Sequence, residues 1–437
     1  MLPNELLLEI FRLSATSDLC NISLASRNFC ALARPFLFTS LYFQPYVLDD
    51  DVGALRCPAP EQRRQLTDKL ALFASAAIAP HVVLVSVTSD LVSDAPAPFS
   101  DDTDTHTMIA ALFSTMAFFS NLRLFEAQGI TFTTASIDAL SSLSAFSLKL
   151  NHCSLLPRLS SFRSEFPAVK LPVVDLTLEK NGSSHWSYPG RWLAVMSPDV
   201  LQGLFIHNRS ELEQAEISRF PVFPHVTRLK LPLDPADLDV IPSLLATAFP
   251  SVQSLDIDCE DARFAELERY SPGLLFPHLT ELQSHAGAAG FFLPLARPKS
   301  LTLHYSYAAP LLHSLATLPR ECLARTTHLQ LSLDDWASGN LVTEILNHFP
   351  AMESLKLELT VNDDNATGSI LALVMALPSF LPSALRSLWL HADVSGGWEN
   401  DEVDDAGIPD TRVLHAQLVA RCPAPPGCGH SCSALPS

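Results

Sequence analysis

The feature that most constrains this chain is a short pattern, apolar-x-x-Leu-x-Leu, that recurs along most of its length. It reads FSNLRLF at Phe119, Leu122 and Leu124, AFSLKLN at Leu148 and Leu150, and VVDLTLE at Val173, Leu176 and Leu178. LQGLFIH (Leu201, Leu204, Ile206), VTRLKLP (Val226, Leu229, Leu231) and VQSLDID (Val252, Leu255, Ile257) follow. Then come LTELQSH (Leu279, Leu282), PKSLTLH (Leu301, Leu303), THLQLSL (Leu329, Leu331), MESLKLE (Met352, Leu355, Leu357) and LRSLWLH (Leu385, Leu388, Leu390). The central leucines stand at 122, 148, 176, 204, 229, 255, 282, 301, 329, 355 and 388, with steps of 26, 28, 28, 25, 26, 27, 19, 28, 26 and 33. Such a period marks a stacked array of small units. The Leu-x-Leu alternation itself is that of a strand with one buried face.

Phe-Pro stands two residues ahead of the first apolar position in several copies: Phe223-Pro224, Phe249-Pro250, Phe276-Pro277 and Phe349-Pro350. Helical runs such as IPSLLATAFP and NLVTEILNHFP lead into two of them. Proline cannot continue a helix and biases the residue before it to extended geometry. One unit therefore reads helix, Phe-Pro stop, short strand, loop. A unit of this kind cannot bury its own apolar face, so the copies must stack. These repeats resemble leucine-rich repeats of the irregular kind. The resemblance implies an α/β solenoid, curved, with parallel strands on its concave face. The chain departs from that pattern in lacking a regular Asn or Cys after the strand, with Asn151-His152-Cys153 and Asp258-Cys259 as partial echoes. Repeat seven ends on Ser284 instead of an apolar residue, and the 19-residue step after it reads as a candidate defect.

Composition narrows the partners. With 48% hydrophobic residues over 437 positions the chain can bury a large core or several. Its 47 Asp and Glu against 28 Lys and Arg give a net charge of −19. That balance opposes tracking of nucleic-acid phosphates and docking on anionic lipid. The most apolar window, ALFASAAIAPHVVLVSV at 71–87, is broken by Pro80 and His81. It reads as a helix followed by a buried strand and not as a membrane span. Nine cysteines, odd in number and mostly isolated, with no basic leader before Leu2-Pro3, predict a reducing compartment, cytosol or nucleus.

The first residues, MLPNELLLEIFRL, are apolar on too many sides for a helix lying on one small domain. At 100° per residue Leu2, Leu6, Leu7, Ile10, Phe11 and Leu13 fill about half the circumference, Leu8 widens it, and Glu5, Glu9 and Arg12 mark the polar edge. Pro3 suits a first helical turn and Glu5 suits its dipole. Ser17 or Asp18 can cap a second helix beginning near Leu19, and a third, carrying Phe29 and Leu32, is expected to end before Pro35. FLFTSLYF then reads as a strand.

The spacing of Leu2, Pro3, Glu5, Leu6, Leu7, Ile10, Phe11, Asp18, Leu19, Leu24, Ser26, Arg27 and Phe29 resembles the F-box, a three-helix motif, and the ending Ala33-Arg34-Pro35-Phe36-Leu37-Phe38 resembles the F-box proteins found in large fungal sets. Phe29 stands where Trp is common and Ala25 where Val is usual. The resemblance implies a non-catalytic substrate receptor of a cullin-RING ubiquitin ligase. Leu2, Pro3, Glu5, Leu6, Leu7, Ile10, Phe11, Asp18, Leu19, Leu24 and Phe29 would then meet a Skp-type adaptor, with Leu6, Leu7, Ile10 and Phe11 shared between adaptor and solenoid. The alternative is a scaffold that binds the adaptor without acting in ubiquitination. The domain reading is F-box at 1–44, linker and first solenoid elements with an acidic loop near 88–107 at 45–110, leucine-rich-repeat-like solenoid at 111–395, and an acidic loop, short helix and Cys/Pro-rich tail at 396–437.

A protein substrate would lie on the strand face opposite the leucines. The residues between paired leucines present that face: Arg123, Lys149, Thr177, Phe205, Lys230, Asp256, Gln283, Thr302, Gln330, Lys356 and Trp389. Phe205 and Trp389 are its large apolar members, and Trp is a favoured interface anchor. His207, His285, His304 and His391 follow the second core position, and His285 and His304 would be neighbours if repeats seven and eight stack directly. They and the terminal Cys422, Cys428, His430 and Cys432 lack the spacing of a zinc site. The acidic stretches 88–107 and 396–410 read as solvated loops. No phosphate loop, His-Glu-x-x-His or Gly-x-Ser-x-Gly is present, so no metal, cofactor or catalytic set is expected.

Overall fold

The computed structural model describes residues 2–49, 54–89, 107–155, 170–179, 189–207, 220–233, 241–258, 275–334, 339–360, 373, 376–377 and 379–393. Most of the 88–107 acidic stretch, the 396–410 stretch, Cys259 and the Cys-rich tail lie outside them. The chain forms two units, Met1–Val226 and Thr227–Ser437.

The first unit opens with three helices, α1 (Asn4–Leu13), α2 (Thr16–Ala25) and α3 (Arg27–Leu37). Pro3 sits at the N-cap of α1, where its carbonyl accepts from Leu7 N–H at 3.2 Å. Helix α2 begins three residues earlier than expected. Neither Ser17 nor Asp18 caps it; the N–H groups of Asp18 and Leu19 both reach the Ala15 carbonyl at 3.0 Å. Ser26 caps α3, its Oγ accepting from Phe29 N–H at 3.1 Å. Helix α3 also runs through Pro35 instead of stopping before it. Proline in the last turn removes one backbone bond only, and Phe36 and Leu37 just beyond it pack on the three-helix core.

Strand-and-helix repeats follow. The first unit carries α4 (Pro60–Phe73), α5 (Thr107–Thr115), α6 (Thr134–Ser141) and α7 (Pro189–Val195). Its ladder strands are β1 (Ser40–Phe43), β2 (Leu84–Thr88), β3 (Leu124–Gln128), β4 (Phe146–Asn151), β5 (Val173–Leu178) and β6 (Gly203–Ile206). Each pairs in parallel with the next. Two apolar columns run across them, Leu41–Val85–Phe125–Leu148–Leu176–Leu204 and Phe43–Val87–Ala127–Leu150–Leu178–Ile206, and none of these side chains is more than 6% exposed. The ladder thus starts at Ser40, and the 45–110 segment supplies α4 and β2.

The second unit repeats the plan with β7 (Arg228–Pro232), β8 (Ser254–Asp258), β9 (Glu281–His285), β10 (Ser300–Tyr307), β11 (His328–Asp334), β12 (Ser354–Thr360) and β13 (Ser387–Asp393). Its helices are α8 (Ile241–Ala248), α9 (Ala286–Ala296), α10 (Ala308–Thr317), α11 (Arg320–Leu323) and α12 (Gly339–Asn347). The columns are Leu229–Leu255–Leu282–Leu301–Leu329–Leu355–Leu388 and Leu231–Ile257–Ser284–Leu303–Leu331–Leu357–Leu390. The 19-residue step is no defect. Strands β9 and β10 stay in register through Leu282–Leu301, and α9 starts directly on His285, which shortens the unit.

The Phe-Pro positions explain how each strand is entered. The carbonyls of Phe223, Phe276 and Phe349 accept from the N–H three residues on, in Val226, Leu279 and Met352. Phe119 does the same for Leu122 at 3.1 Å, and Ala79 for Val82 at 3.2 Å. Each aromatic ring is buried. The first repeat is therefore offset from its expected register: Leu122 fills the site ahead of the strand, while Phe125 and Ala127 are its core pair, opposite Leu148 and Leu150. Phe and Ala in place of Leu hid this copy.

The Asn151-His152-Cys153 echo is a closing turn. Cys153 is buried, and its Sγ lies 3.2 Å from the Ala127 carbonyl of the preceding repeat and 3.3 Å from that of Asn151. Asn151 O also accepts from Gly129 N–H at 2.8 Å, and His152 takes the left-handed conformation at φ 52°. A short parallel pair, Thr131–Phe132 with Ser154–Leu155, continues the stacking past the turn.

Candidate functional site

Two surfaces qualify. On α1 the side chains of Leu6, Ile10 and Leu13 are 52%, 47% and 87% exposed, and Leu2, just ahead of the Pro3 cap, is 56% exposed. The spacing of four and three residues from Leu6 to Leu13 sets those three along one side of the helix. Leu24 of α2 is also exposed, at 85%. Pro3, Glu5 and Asp18 lie on the surface, and Leu7 is half-buried. An apolar side chain of this size gains about 1.5–3 kcal/mol on full burial, so the stripe represents a large unspent driving force.

Phe11 and Leu19 are placed differently. Both are 3% exposed and form the core of the three helices with Ala33. Ile22, Phe29, Leu32, Phe36 and Leu37 pack around that core, and the Phe29 ring meets Phe11 edge-on at 6.1 Å. These two residues therefore hold the helices together and do not face outward. The excess apolar surface of α1 divides between its own bundle and solvent. The expected sharing of Phe11 with the solenoid gives way to packing within the three helices, where it meets Leu19, Ala33 and the Phe29 ring.

The second surface is the face of each ladder opposite its leucines. In the first unit the central row is Tyr42–Ser86–Glu126–Lys149–Thr177–Phe205. Glu126, not Arg123, takes the place in that row. Arg123 precedes β3 and enters the ladder only through its backbone, donating to Val83 O and accepting from Ser147 N–H. In the second unit the row is Lys230–Asp256–Gln283–Thr302–Gln330–Lys356–Trp389, as the sequence pattern predicts.

Charge on this face is locally compensated. Lys149 Nζ lies 2.8 Å from Glu179, Lys230 Nζ 2.8 Å from Asp256, and Lys356 Nζ 2.8 Å from Glu358. The hydrogen bond that the Lys149 ammonium donates to Glu179 holds its pKa above the usual lysine range. Lys356 also sits 4.7 Å over the Trp389 ring, and His391 stacks on the same ring at 5.5 Å. Trp389 thus has both a cation and an imidazole against its ring. Phe205 is half-buried beside Gly203, where an added Cβ would fall 2.3 Å from the Asp175 carboxylate.

His285 and His304 are direct partners across β9 and β10, and His285 Nε2 lies 3.7 Å from Asp258. Burial lowers the His304 imidazole below its usual range, with Asp256 opposing that shift. Among the described residues no group of three or more His, Cys, Asp or Glu could hold a metal ion. Nor is any helix there long and apolar enough to cross a membrane. Cys20, Cys30, Cys57, Cys153 and Cys322 are free thiols.

Comparison with known proteins adds to this geometry. The F-box-like family model matches residues 1–44. No curated protein matches the chain. Solved structures that match include the leucine-rich repeat-containing protein LegL7 from Legionella pneumophila. It is 14% identical, with 81% of this chain and 95% of that one covered at a TM-score of 0.40. An F-box-like domain at residues 1–44, carrying an exposed apolar stripe, followed by a leucine-rich-repeat-like α/β solenoid, is what this chain is built from.

Proposed function

We propose that this chain is the substrate-recognition subunit of a cullin-RING ubiquitin ligase, working in the cytosol or nucleus. The α1 stripe would bind a Skp-type adaptor, and the face opposite the leucines would hold a protein substrate. The chain would break and form no bonds itself; its contribution is to raise the effective concentration of substrate lysines near the conjugating enzyme. The observation that carries this reading is the row Leu2, Leu6, Ile10 and Leu13, exposed on a domain that matches the F-box-like family. Co-expression with a Skp-type adaptor and a cullin tests it. Recovery of both on the tagged full chain is the expected result, with both lost when residues 1–44 are deleted. Recovery of the adaptor without the cullin would favour the second reading, a protein-interaction scaffold outside the ligase. Failure to recover the adaptor contradicts both.

A further inference from the structure

The second unit ends on a strand whose apolar side is only partly closed. Strand β13 is last in the ladder and, among the described residues, pairs with β12 alone. From β7 to β12 no member of the two core columns is more than 2% exposed, yet Leu388 and Leu390 of β13 are half-buried. The strand reads SLWLHAD, without the lysine or proline that commonly blunts an open edge. An array of stacked units needs a closing piece at such an end, because no further copy follows to cover the last apolar face.

The chain's own sequence supplies that piece. After β11, helix α12 buries Val342, Ile345 and Leu346, and the stop Phe349-Pro350 follows with Phe349 buried. After β7, α8 buries Leu245 and leads into Phe249-Pro250 in the same way. The stretch LHAQLVARCP at 414–423, outside the described residues, follows the plan of LVTEILNHFP at 341–350. Leu418, Val419, Cys422 and Pro423 take the places of Ile345, Leu346, Phe349 and Pro350; His415 in the Val342 place is the departure. Cysteine behaves as a small apolar residue and suits a buried turn. Leu418 stands 30 residues after Leu388, whereas Ile345 stands 16 after Leu329 and Leu245 stands 16 after Leu229. The acidic 396–410 stretch makes up that difference. We propose that residues 413–423 form one more helix and turn of the array and dock on the leucine side of β13, with Leu418 and Val419 covering Leu388 and Leu390. Strand alternation leaves Trp389 and His391 on the opposite face, so this closure stands apart from the ligase reading and leaves the strand face open.

Hydrogen exchange read by mass spectrometry on the full chain tests this, with peptides over 387–393 and 413–421 and those of β10 and β11 as the check on folding. In the parent both segments are expected to be protected, to the same degree at every protein concentration. Leu418→Asp should speed exchange at 387–393 by about tenfold or more and leave β10 and β11 unchanged. Leu418→Ala should give a smaller rise at the same place, and it decides the matter if the aspartate opens β10 and β11 as well. Ala420→Asp, in the place of the exposed Asn347, should change nothing at 387–393. Rapid exchange of 413–421 in the parent, unchanged exchange at 387–393 in both Leu418 variants, or equal opening by Ala420→Asp overturns the inference. Protection of 387–393 that grows with protein concentration, alongside a dimer by light scattering, overturns it in favour of a second copy on the β13 edge.

Discussion

The three N-terminal helices and the repeats behind them treat their leucines in opposite ways. In the repeats, Leu148, Leu176, Leu255, Leu301 and Leu357 are at most 1% exposed, each flanked by the next copy of its own unit. In the helices, Leu2, Leu6, Ile10, Leu13 and Leu24 stand in solvent, and only Phe11, Leu19 and Ala33 form a core. Stacking explains the difference. A repeat always has a neighbour to close its apolar face, whereas a three-helix piece of some forty residues has too little interior to bury all it carries. The aligned apolar row left over, in a chain that buries leucine so thoroughly elsewhere, is the surface that the proposed adaptor would cover.

Substitutions can break this contrast or sharpen it. Phe11→Ala removes the largest side chain of the small core and is expected to cost about 3–5 kcal/mol. Thermal or urea unfolding followed by limited proteolysis should show the first forty residues melting while the repeats survive. A single unchanged transition would mean that the helices borrow their stability from elsewhere. Leu303→Ala, in the middle of a fully stacked column, is expected to cost about 2–5 kcal/mol. Its unfolding midpoint should fall without a change in the N-terminal proteolysis pattern.

Cys153→Ala should cost about 1–2 kcal/mol through the lost contacts to the Ala127 and Asn151 carbonyls. The same thiol predicts a pH effect. Burial pushes its pKa from 9.0 up to about 12. The unfolded chain then loses this proton first as pH rises, so its contribution is full below pH 9 and declines between about 9 and 12. Cys153→Ala should flatten the alkaline loss of stability seen in unfolding titrations; an identical alkaline slope would remove Cys153 as a cause. Ser26→Ala, which removes the cap of α3, is the smallest of these changes at about 1 kcal/mol.

Much of the ladder was legible because its period depends on leucine spacing alone. Nine of the expected strands lie where Leu-x-Leu or Leu-x-Ile places them, a tenth lies at Leu282 with Ser284 in the second core position, and the Phe-Pro pairs mark the entrances to four. The first strands were harder to read. Val85 and Val87, and then Phe125 and Ala127, fill the same columns with other side chains, so Leu122 and Leu124 drew the register three residues early. The turn bond from Phe119 to Leu122 was the available clue, since Phe119 matches the position of Phe223 and Phe349. Helix ends were misplaced for a local reason as well. Pro35 and the Thr16-Ser17-Asp18 run carry strong stop and start signals, yet packing of Phe36, Leu37 and Leu19 on the small core prevails over them. On α1 the sequence shows the excess of apolar residues but not which of them the bundle takes. Separating Phe11 from Leu6 and Ile10 required the packing of α3 against α1.

The most direct test is adaptor binding by isothermal calorimetry, with exposed apolar positions from the two regions compared side by side. The paired variant Leu6→Asp with Ile10→Asp alters the α1 stripe, and Phe118→Asp alters a single exposed ring of the repeats, 58% exposed. Both leave the buried cores untouched, so circular dichroism and unfolding midpoints should match the parent chain. The account predicts that the paired variant loses adaptor binding by about a hundredfold or more while Phe118→Asp binds as the parent does. Equal binding by all three chains would contradict the claim that the α1 stripe is kept for a partner.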